Sequence, residues 1–233
     1  MSVAKVNGIN FFYEVLGSGK PLVIINGLAI DISDIRVISE PLAKTYKVLV
    51  FDNRGAGRSD KPDEPYSIEQ MARDTAGVMK AAGFKKANIL GISMGGRIAL
   101  ELTLSFPELV DKLVLVSTAA YVIRPRTFRN FLGLTVMPRL PIMKGKYPQP
   151  HYAYLRQRAA SSSYNCLDRL SEIHAPTLIC HGERDGVMPL SFAVKTHEGI
   201  KGSELKTFTG GHLFFLFRSR QQFLDTVNEY LLR

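Results

Sequence analysis

Five short, unbroken apolar runs stand out along the chain: Pro21 to Asn26, Lys47 to Phe51, Ala87 to Ile92, Leu113 to Ser117 and Pro176 to His181. Each has the length of a strand and lacks the polar alternation of a half-exposed one, which is the pattern of strands buried on both faces of a parallel sheet. Between them the apolar positions switch to helical spacing, over Ile32 to Ala43, over Ile68 to Ala82 with Gly83 placed to end it, and over Gly95 to Phe106 with Pro107 just beyond. Strands alternating with helices require crossover connections, so helices are expected on both faces of the sheet. The start differs. Asn7-Gly8 is a hairpin turn signal between two strand-like runs, and Gly17-Ser18-Gly19 makes a second turn, so an antiparallel edge is predicted there. Toward the end the pattern resumes with Cys166 to Ile173, a helix over Leu190 to Glu198, a strand around Glu204 to Phe208 and a final helix from about Leu213 to Leu232.

Length and composition fit this α/β reading. A chain of 233 residues can bury one good core and is short for two domains. With 45% hydrophobic and 22% charged residues and no repeat or low-complexity tract, an ordered globular fold is expected rather than disorder. No stretch of about 18 apolar residues occurs and no basic-then-apolar leader opens the chain, so the expectation is a soluble, cytoplasmic protein with no membrane partner. Cys166 and Cys180 are too few for a disulfide framework and lack the spacing of a zinc site, so reduced thiols and no metal are expected.

The formal charge of +9 is concentrated rather than spread. From Ala119 to Cys166 there is no acidic residue, while Arg124, Arg126, Arg129, Arg139, Lys144, Lys146, Arg156 and Arg158 all lie there. Eight of the 30 basic residues are therefore in this segment, leaving 22 against the 21 acidic residues elsewhere. The same segment is rich in proline and aromatics, and it reads as an insert at 119–165 interrupting a core made of 1–118 and 166–233. Arginine forks there could bind an anionic group on a substrate. The same side chains can equally lie over apolar surface with no ligand. Charge alone does not make a nucleic-acid site, and no such module is present, so no nucleic-acid partner is expected.

The strongest chemical signal is Gly91-Ile92-Ser93-Met94-Gly95, a G-x-S-x-G sequence standing where a buried strand gives way to a helix. A turn that sharp crowds the backbone; small residues on either side make room and push the serine hydroxyl clear. A serine hydroxyl is a poor nucleophile without a base, and the base needs an orienting carboxylate. Of the five histidines, His212 follows the last strand in Thr209-Gly210-Gly211-His212, where two glycines let the loop bring an imidazole over the sheet edge. His181 and His174 flank a strand and read as packing or capping residues, His151 falls in the insert, and His197 lies on a segment read as a surface helix. For the carboxylate, Asp185 follows the strand ending at His181, at the carboxyl end where parallel sheets place functional groups, with Glu183 as runner-up. The Gly17-Ser18-Gly19-Lys20-Pro21 stretch lacks the leading glycine and the Ser or Thr of a phosphate loop and is read as a turn, so no nucleotide cofactor is expected.

With those residues in place, the chain resembles the α/β-hydrolase superfamily, in the branch of small esterases, enol-lactone hydrolases, prolyl iminopeptidases and C–C bond hydrolases. The resemblance runs over essentially the whole chain. Besides the serine turn, Asp52-Asn53-Arg54-Gly55-Ala56-Gly57-Arg58-Ser59 is similar to the family's D-x-R-G-x-G-x-S loop, and Pro107-Glu108 with Val110 and Ala175-Pro176-Thr177 match further landmarks. The resemblance implies a mostly parallel sheet with helices on both faces and a short inserted cap at 119–165. It implies a Ser93, His212 and Asp185 triad acting without cofactor or metal, and an oxyanion hole built from the Met94 and Leu28 N–H groups. The chain departs from the family at Asn26-Gly27, where His-Gly is common, which bears on Leu28 in particular.

The expected activity is hydrolysis of a small carboxylic ester, thioester or lactone through an acyl-serine. The expected partner is thus a small acyl substrate, to which an anionic group would be suited by the insert's charge. The alternatives are a C–C hydrolase or lyase using the same triad on an anionic substrate, and a ligand-binding protein of the same fold without turnover. The lack of acids in the insert counts against a prolyl iminopeptidase. Nothing in the sequence fixes the oligomeric state.

Overall fold

The structure is a computed structural model and describes residues 2–121 and 146–233. The expectations attached to Arg124, Arg126, Arg129, Arg139 and Lys144 therefore lie outside the described residues. The elements follow in order as β1 (Ser2–Val6), β2 (Ile9–Leu16), β3 (Lys20–Ile25), α1 (Arg36–Leu42), β4 (Tyr46–Phe51), α2 (Ile68–Ala81), β5 (Ala87–Ile92), α3 (Met94–Ser105) and β6 (Val110–Val116). After the undescribed stretch come α4 (His151–Ser163), β7 (Thr177–Gly182), α5 (Leu190–Gly199), β8 (Glu204–Phe208) and α6 (Arg220–Leu232).

The eight strands form one sheet in the order β1-β2-β4-β3-β5-β6-β7-β8. β1 and β2 pair antiparallel with each other, as β2 does with β4, and every other pair is parallel. The antiparallel start rests on the Asn7-Gly8 turn, where both residues have positive φ, 48° and 87°. The continuous apolar runs divide their side chains between two cores. Val23, Ile25, Leu49, Phe51, Ile89, Leu113, Leu115 and Ile179 face one side, under α2, α3 and Ala193 of α5. Leu22, Ile24, Val48, Val50, Leu90, Val114, Val116 and Leu178 face the other, under α6 and Ile38 and Leu42 of α1. This strict alternation is why successive positions of the runs are mostly apolar: both faces of each central strand are covered.

Strand order reverses at β3. The chain leaves β3 for β4 on one side and later crosses to β5 on the other, so the loops after β3 and β5 diverge from adjacent strand ends. In open sheets of this kind, the carboxyl ends of the strands at such a reversal are where ligands bind. The two ends of the insert are joined, since the Cys166 N–H donates to the Ala120 carbonyl at 3.1 Å. No helix among the described residues is long and apolar enough to cross a membrane.

The segment Cys166 to Ile173 forms a 3-10 turn over Leu167–Glu172. One expectation needs correction. The final helix starts at Arg220, not at Leu213, because Phe214–Leu216 form a separate 3-10 turn. That turn is held by aromatic packing: Phe214 stacks on Phe208 at 4.7 Å and meets Phe215 and Phe223 edge-on, driving both phenylalanines of the turn inward. A straight helix through this stretch would place the two rings 100° apart and lose the shared cluster. Phe223 is fully buried at its centre. Phe223→Ala is expected to lower the unfolding free energy by about 3–5 kcal/mol in chemical denaturation; a loss below about 1 kcal/mol would mean the cluster does not hold this end of the fold.

Candidate active site

The turn from β5 to α3 forces Ser93 into a backbone conformation that few non-glycine residues adopt, φ 53° and ψ −113°. Its backbone is fixed on three sides. The Ser93 N–H donates to the Val116 carbonyl at 2.8 Å, and the Ser93 carbonyl accepts from the Gly96 N–H at 3.0 Å and from the Thr118 hydroxyl at 2.7 Å. The neighbouring glycines are required by close approach rather than by their own torsions. A Cβ on Gly95 would stand 2.1 Å from the Ile25 carbonyl oxygen, and one on Gly91 would stand 2.5 Å from the Gly95 carbonyl oxygen. The N-terminus of α3 is thus pressed directly onto the ends of β3 and β5, which leaves the serine side chain clear of the sheet.

Asp185 and His212 arrive on the loops after β7 and β8. The two loops are stitched together by the Glu183 N–H to the Phe208 carbonyl at 3.0 Å and the Arg184 N–H to the Gly210 carbonyl at 2.9 Å. Asp185 is buried, and its Oδ1 accepts from the Val187 and Met188 N–H groups, each at 2.8 Å. Its Oδ2 lies 2.7 Å from His212 Nδ1, and His212 Nε2 lies 3.0 Å from Ser93 Oγ. Burial by itself would raise the Asp185 pKa; the bond and charge of His212, with the two N–H donors, outweigh it and hold the carboxyl below its ordinary value. An ionised Asp185 can only accept, so His212 carries its proton on Nδ1 and turns the Nε2 lone pair toward the serine hydroxyl, which donates to it. Such an arrangement can draw the proton from the hydroxyl as the oxygen attacks an electrophilic carbon.

The structure thus brings Ser93, Asp185 and His212 into one hydrogen-bonded succession and leaves the other candidates aside. Glu183 turns outward to Thr207 of β8, with the hydroxyl at 3.5 Å. His197 Nδ1 meets the Ser203 hydroxyl at 2.7 Å, and the His151 ring stacks against Tyr154 on α4. His174 lines a groove with Lys86, Asp111 and Lys112 at the N-terminal ends of β5, β6 and β7, the opposite edge of the sheet from Ser93. Burial pushes the Cys166 thiol up to about 11 and raises that of Cys180 as well, so neither is a thiolate at neutral pH. No group of three or more His, Cys, Asp or Glu side chains among the described residues could hold a metal ion.

The loop after β3 runs beside the nucleophile. A Cβ on Gly27 would stand 3.5 Å from Ser93 Cβ. The Leu28 and Met94 N–H groups, the two expected oxyanion donors, have no acceptor among the described residues. Asn26, standing where histidine is common, is fully buried and points its amide sideways to the Phe51 carbonyl at 3.3 Å, while its own carbonyl accepts from Asn53 Nδ2 at 2.9 Å. Farther along, the Ile32 N–H donates to Asp52 Oδ1 at 2.8 Å. The Asp52-Asn53 loop therefore braces the β3 loop at both ends.

Several supports were not legible as such in the sequence. His181, read as packing, is fully buried and donates from Nε2 to the Met188 carbonyl at 2.8 Å, with Asp185 Oδ2 at 3.5 Å from the same nitrogen. Burial lowers its pKa, so it sits neutral beneath the turn that presents Asp185. The Ser117 hydroxyl donates to the His212 carbonyl at 2.7 Å, tying the histidine loop to the end of β6. Gln157 of α4 accepts from the Ala29 N–H at 3.1 Å and donates to the Arg54 carbonyl at 2.7 Å. Their only sequence signal is a polar residue at a strand end or in a helix, which is compatible with many roles.

A family model described as the alpha/beta hydrolase fold matches residues 20–135. The human serine hydrolase BPHL is 28% identical over 246 residues, spanning 97% of this chain and 84% of that protein. The esterase from Exiguobacterium antarcticum superposes with a TM-score of 0.88 at 26% identity, covering 100% of this chain and 99% of its own. The enol-lactonase from Burkholderia xenovorans LB400 superposes with a TM-score of 0.89 over 100% of both chains; at 23% identity it speaks to the fold alone.

Because the Asp185 carboxyl is held below its ordinary value, the ionised group contributes stability that is fully present above about pH 4 and is lost as pH falls through the folded value. Asp185→Asn is therefore expected to be less stable than the wild type at pH 7, with the difference shrinking on acidification in denaturation curves. A difference independent of pH would show that the carboxylate is not held ionised by these bonds.

Proposed function

Because the chain belongs to the α/β-hydrolase superfamily, we propose that it is a serine hydrolase cleaving a small carboxylic ester, thioester or lactone through an acyl-serine intermediate. The single observation carrying this reading is the unbroken succession from Ser93 Oγ to His212 Nε2 at 3.0 Å and from His212 Nδ1 to a buried Asp185 carboxylate at 2.7 Å. Its place at the reversal point of the sheet, and a 26%-identical esterase of the same shape, support it.

In the proposed reaction Ser93 Oγ attacks the carbonyl carbon while His212 Nε2 takes the hydroxyl proton. Asp185 keeps the imidazole in the required tautomer and stabilises the cation that forms. The tetrahedral oxyanion is held by the Met94 N–H, at the positive end of α3, and by the Leu28 N–H across from it. Collapse expels the alkoxide or thiolate, which leaves with the proton from His212, and the acyl group remains on Ser93. Water then enters, gives its proton to His212 and attacks the ester; the second collapse returns the proton to Ser93 Oγ and frees the acid. No metal or organic cofactor enters this scheme. The insert at 119–165 is proposed as a cap over Ser93 that shapes the acyl pocket, with its basic residues suited to an anionic group on the substrate. Neither a nucleic acid nor a membrane is part of the proposal.

Ser93→Ala is expected to remain folded by circular dichroism and to lose p-nitrophenyl acetate turnover by about 10⁴- to 10⁶-fold, to background. Turnover within a few-fold of wild type in that variant would remove Ser93 as nucleophile.

A further inference from the structure

Gln157 lies on α4, within the insert, and is fully buried although it is polar. Both ends of its amide are used by main-chain groups far away in sequence. Oε1 accepts from the Ala29 N–H at 3.1 Å, and Nε2 donates to the Arg54 carbonyl at 2.7 Å. The amide has one possible orientation, because an N–H requires the acceptor and a carbonyl requires the donor. Ala29 is one of four non-glycine residues with positive φ among the described residues, at 61°, a conformation an alanine does not hold without support. It is also the residue directly after Leu28, whose N–H is the second oxyanion donor of the proposed reaction. The β3 loop is otherwise braced at Asn26 by Asn53 and at Ile32 by Asp52, and it closes on itself through the Ile30 N–H to the Gly27 carbonyl at 3.4 Å; Gln157 supplies the bond that its middle receives from another segment.

We propose that Gln157 is a positioning residue for the oxyanion hole: by clamping the Ala29 N–H against the Arg54 carbonyl it fixes the direction of the Leu28 N–H, so that α4 takes part in transition-state stabilisation. The inference rests on the serine-hydrolase reading above. It makes the insert more than a wall around the acyl group. A substrate that lifts α4 releases the clamp on Ala29, and one that seats α4 tightens it. Rate and specificity are thereby coupled through one amide. It also addresses the departure at Asn26-Gly27, since the loop that lacks the usual histidine is held at its centre from the insert side.

The test uses the full chain with Gln157→Met, which keeps the side-chain length but removes both hydrogen bonds, and Gln157→Glu, which keeps the acceptor and regains the donor only when protonated. Gln157→Met is expected to lower kcat for p-nitrophenyl acetate about 10- to 100-fold with KM within about threefold of wild type. The affinity for a phenylboronic acid, whose tetrahedral adduct needs the oxyanion donors, should fall by a similar factor. Gln157→Glu is expected to recover toward wild type as pH is lowered from about 8 to about 5.5, measured as the variant-to-wild-type ratio of kcat at each pH, while the Gln157→Met ratio stays flat. A merely structural glutamine would not produce that contrast, and Gln157→Glu supplies it even if Gln157→Met fails to fold. Wild-type kcat and boronate affinity in both variants, or a rise in KM alone, would overturn the positioning role while leaving Ser93 as nucleophile. Retention of turnover by Ser93→Ala would instead remove the hydrolase reading on which it rests.

Discussion

An ionised carboxylate is costly to bury unless every lone pair it presents is met by a donor. Asp185 is buried at the end of β7, and the local structure is arranged around meeting that demand. Oδ1 is satisfied by the next turn of its own loop, through the Val187 and Met188 N–H groups. Oδ2 is left facing His212, the one donor that comes from elsewhere in the chain. His212 is therefore where the protonation state of the site and the position of the β8 loop become one constraint. The supports behind it follow from the same demand: Ser117 holds the histidine's carbonyl, His181 holds the far side of the acid turn, and the aromatic cluster around Phe223 anchors what comes next.

The serine side of the site obeys a different constraint, which is steric. The end of β5 can turn into α3 within one residue only if the helix N-terminus approaches the neighbouring strand ends to contact, and the atoms crowding Gly91 and Gly95 measure that approach. The strained torsions of Ser93 are then over-determined by bonds to Val116, Gly96 and Thr118. Strand order supplies the rest, because the chain reverses direction across the sheet at β3 and so sets the β3 loop beside Ser93.

Much of this was legible in the sequence because it depends on local pattern. Continuous apolar runs announced strands covered on both faces, Asn7-Gly8 announced the antiparallel edge, and G-x-S-x-G at a strand-to-helix junction singled out Ser93. Asp185 and His212 followed from their places after successive strands, since a parallel sheet collects such loops on one edge. What was not legible depends on contacts between distant segments. Ser117 and Thr118, at the end of β6, act through hydroxyls aimed at the His212 and Ser93 carbonyls. Gln157 is one of several polar residues on a helix with a weak apolar face, and only the fold reveals that it reaches Ala29. The sequence pattern runs the final helix back to Leu213 because Leu213 to Phe217 is apolar enough to continue it, whereas burial of two adjacent phenylalanines in one cluster requires a break.

In the proposed reaction the hydroxyl of Ser93 owes its reactivity to the imidazole and carboxylate aligned behind it. Labelling with a fluorophosphonate, read by intact mass and by peptide mapping, tests this most directly. One adduct is expected, on the peptide containing Ser93, formed at a rate that collapses when His212 is replaced by glutamine. An adduct on another residue, or labelling of Ser93 at an unchanged rate without the histidine, would contradict it.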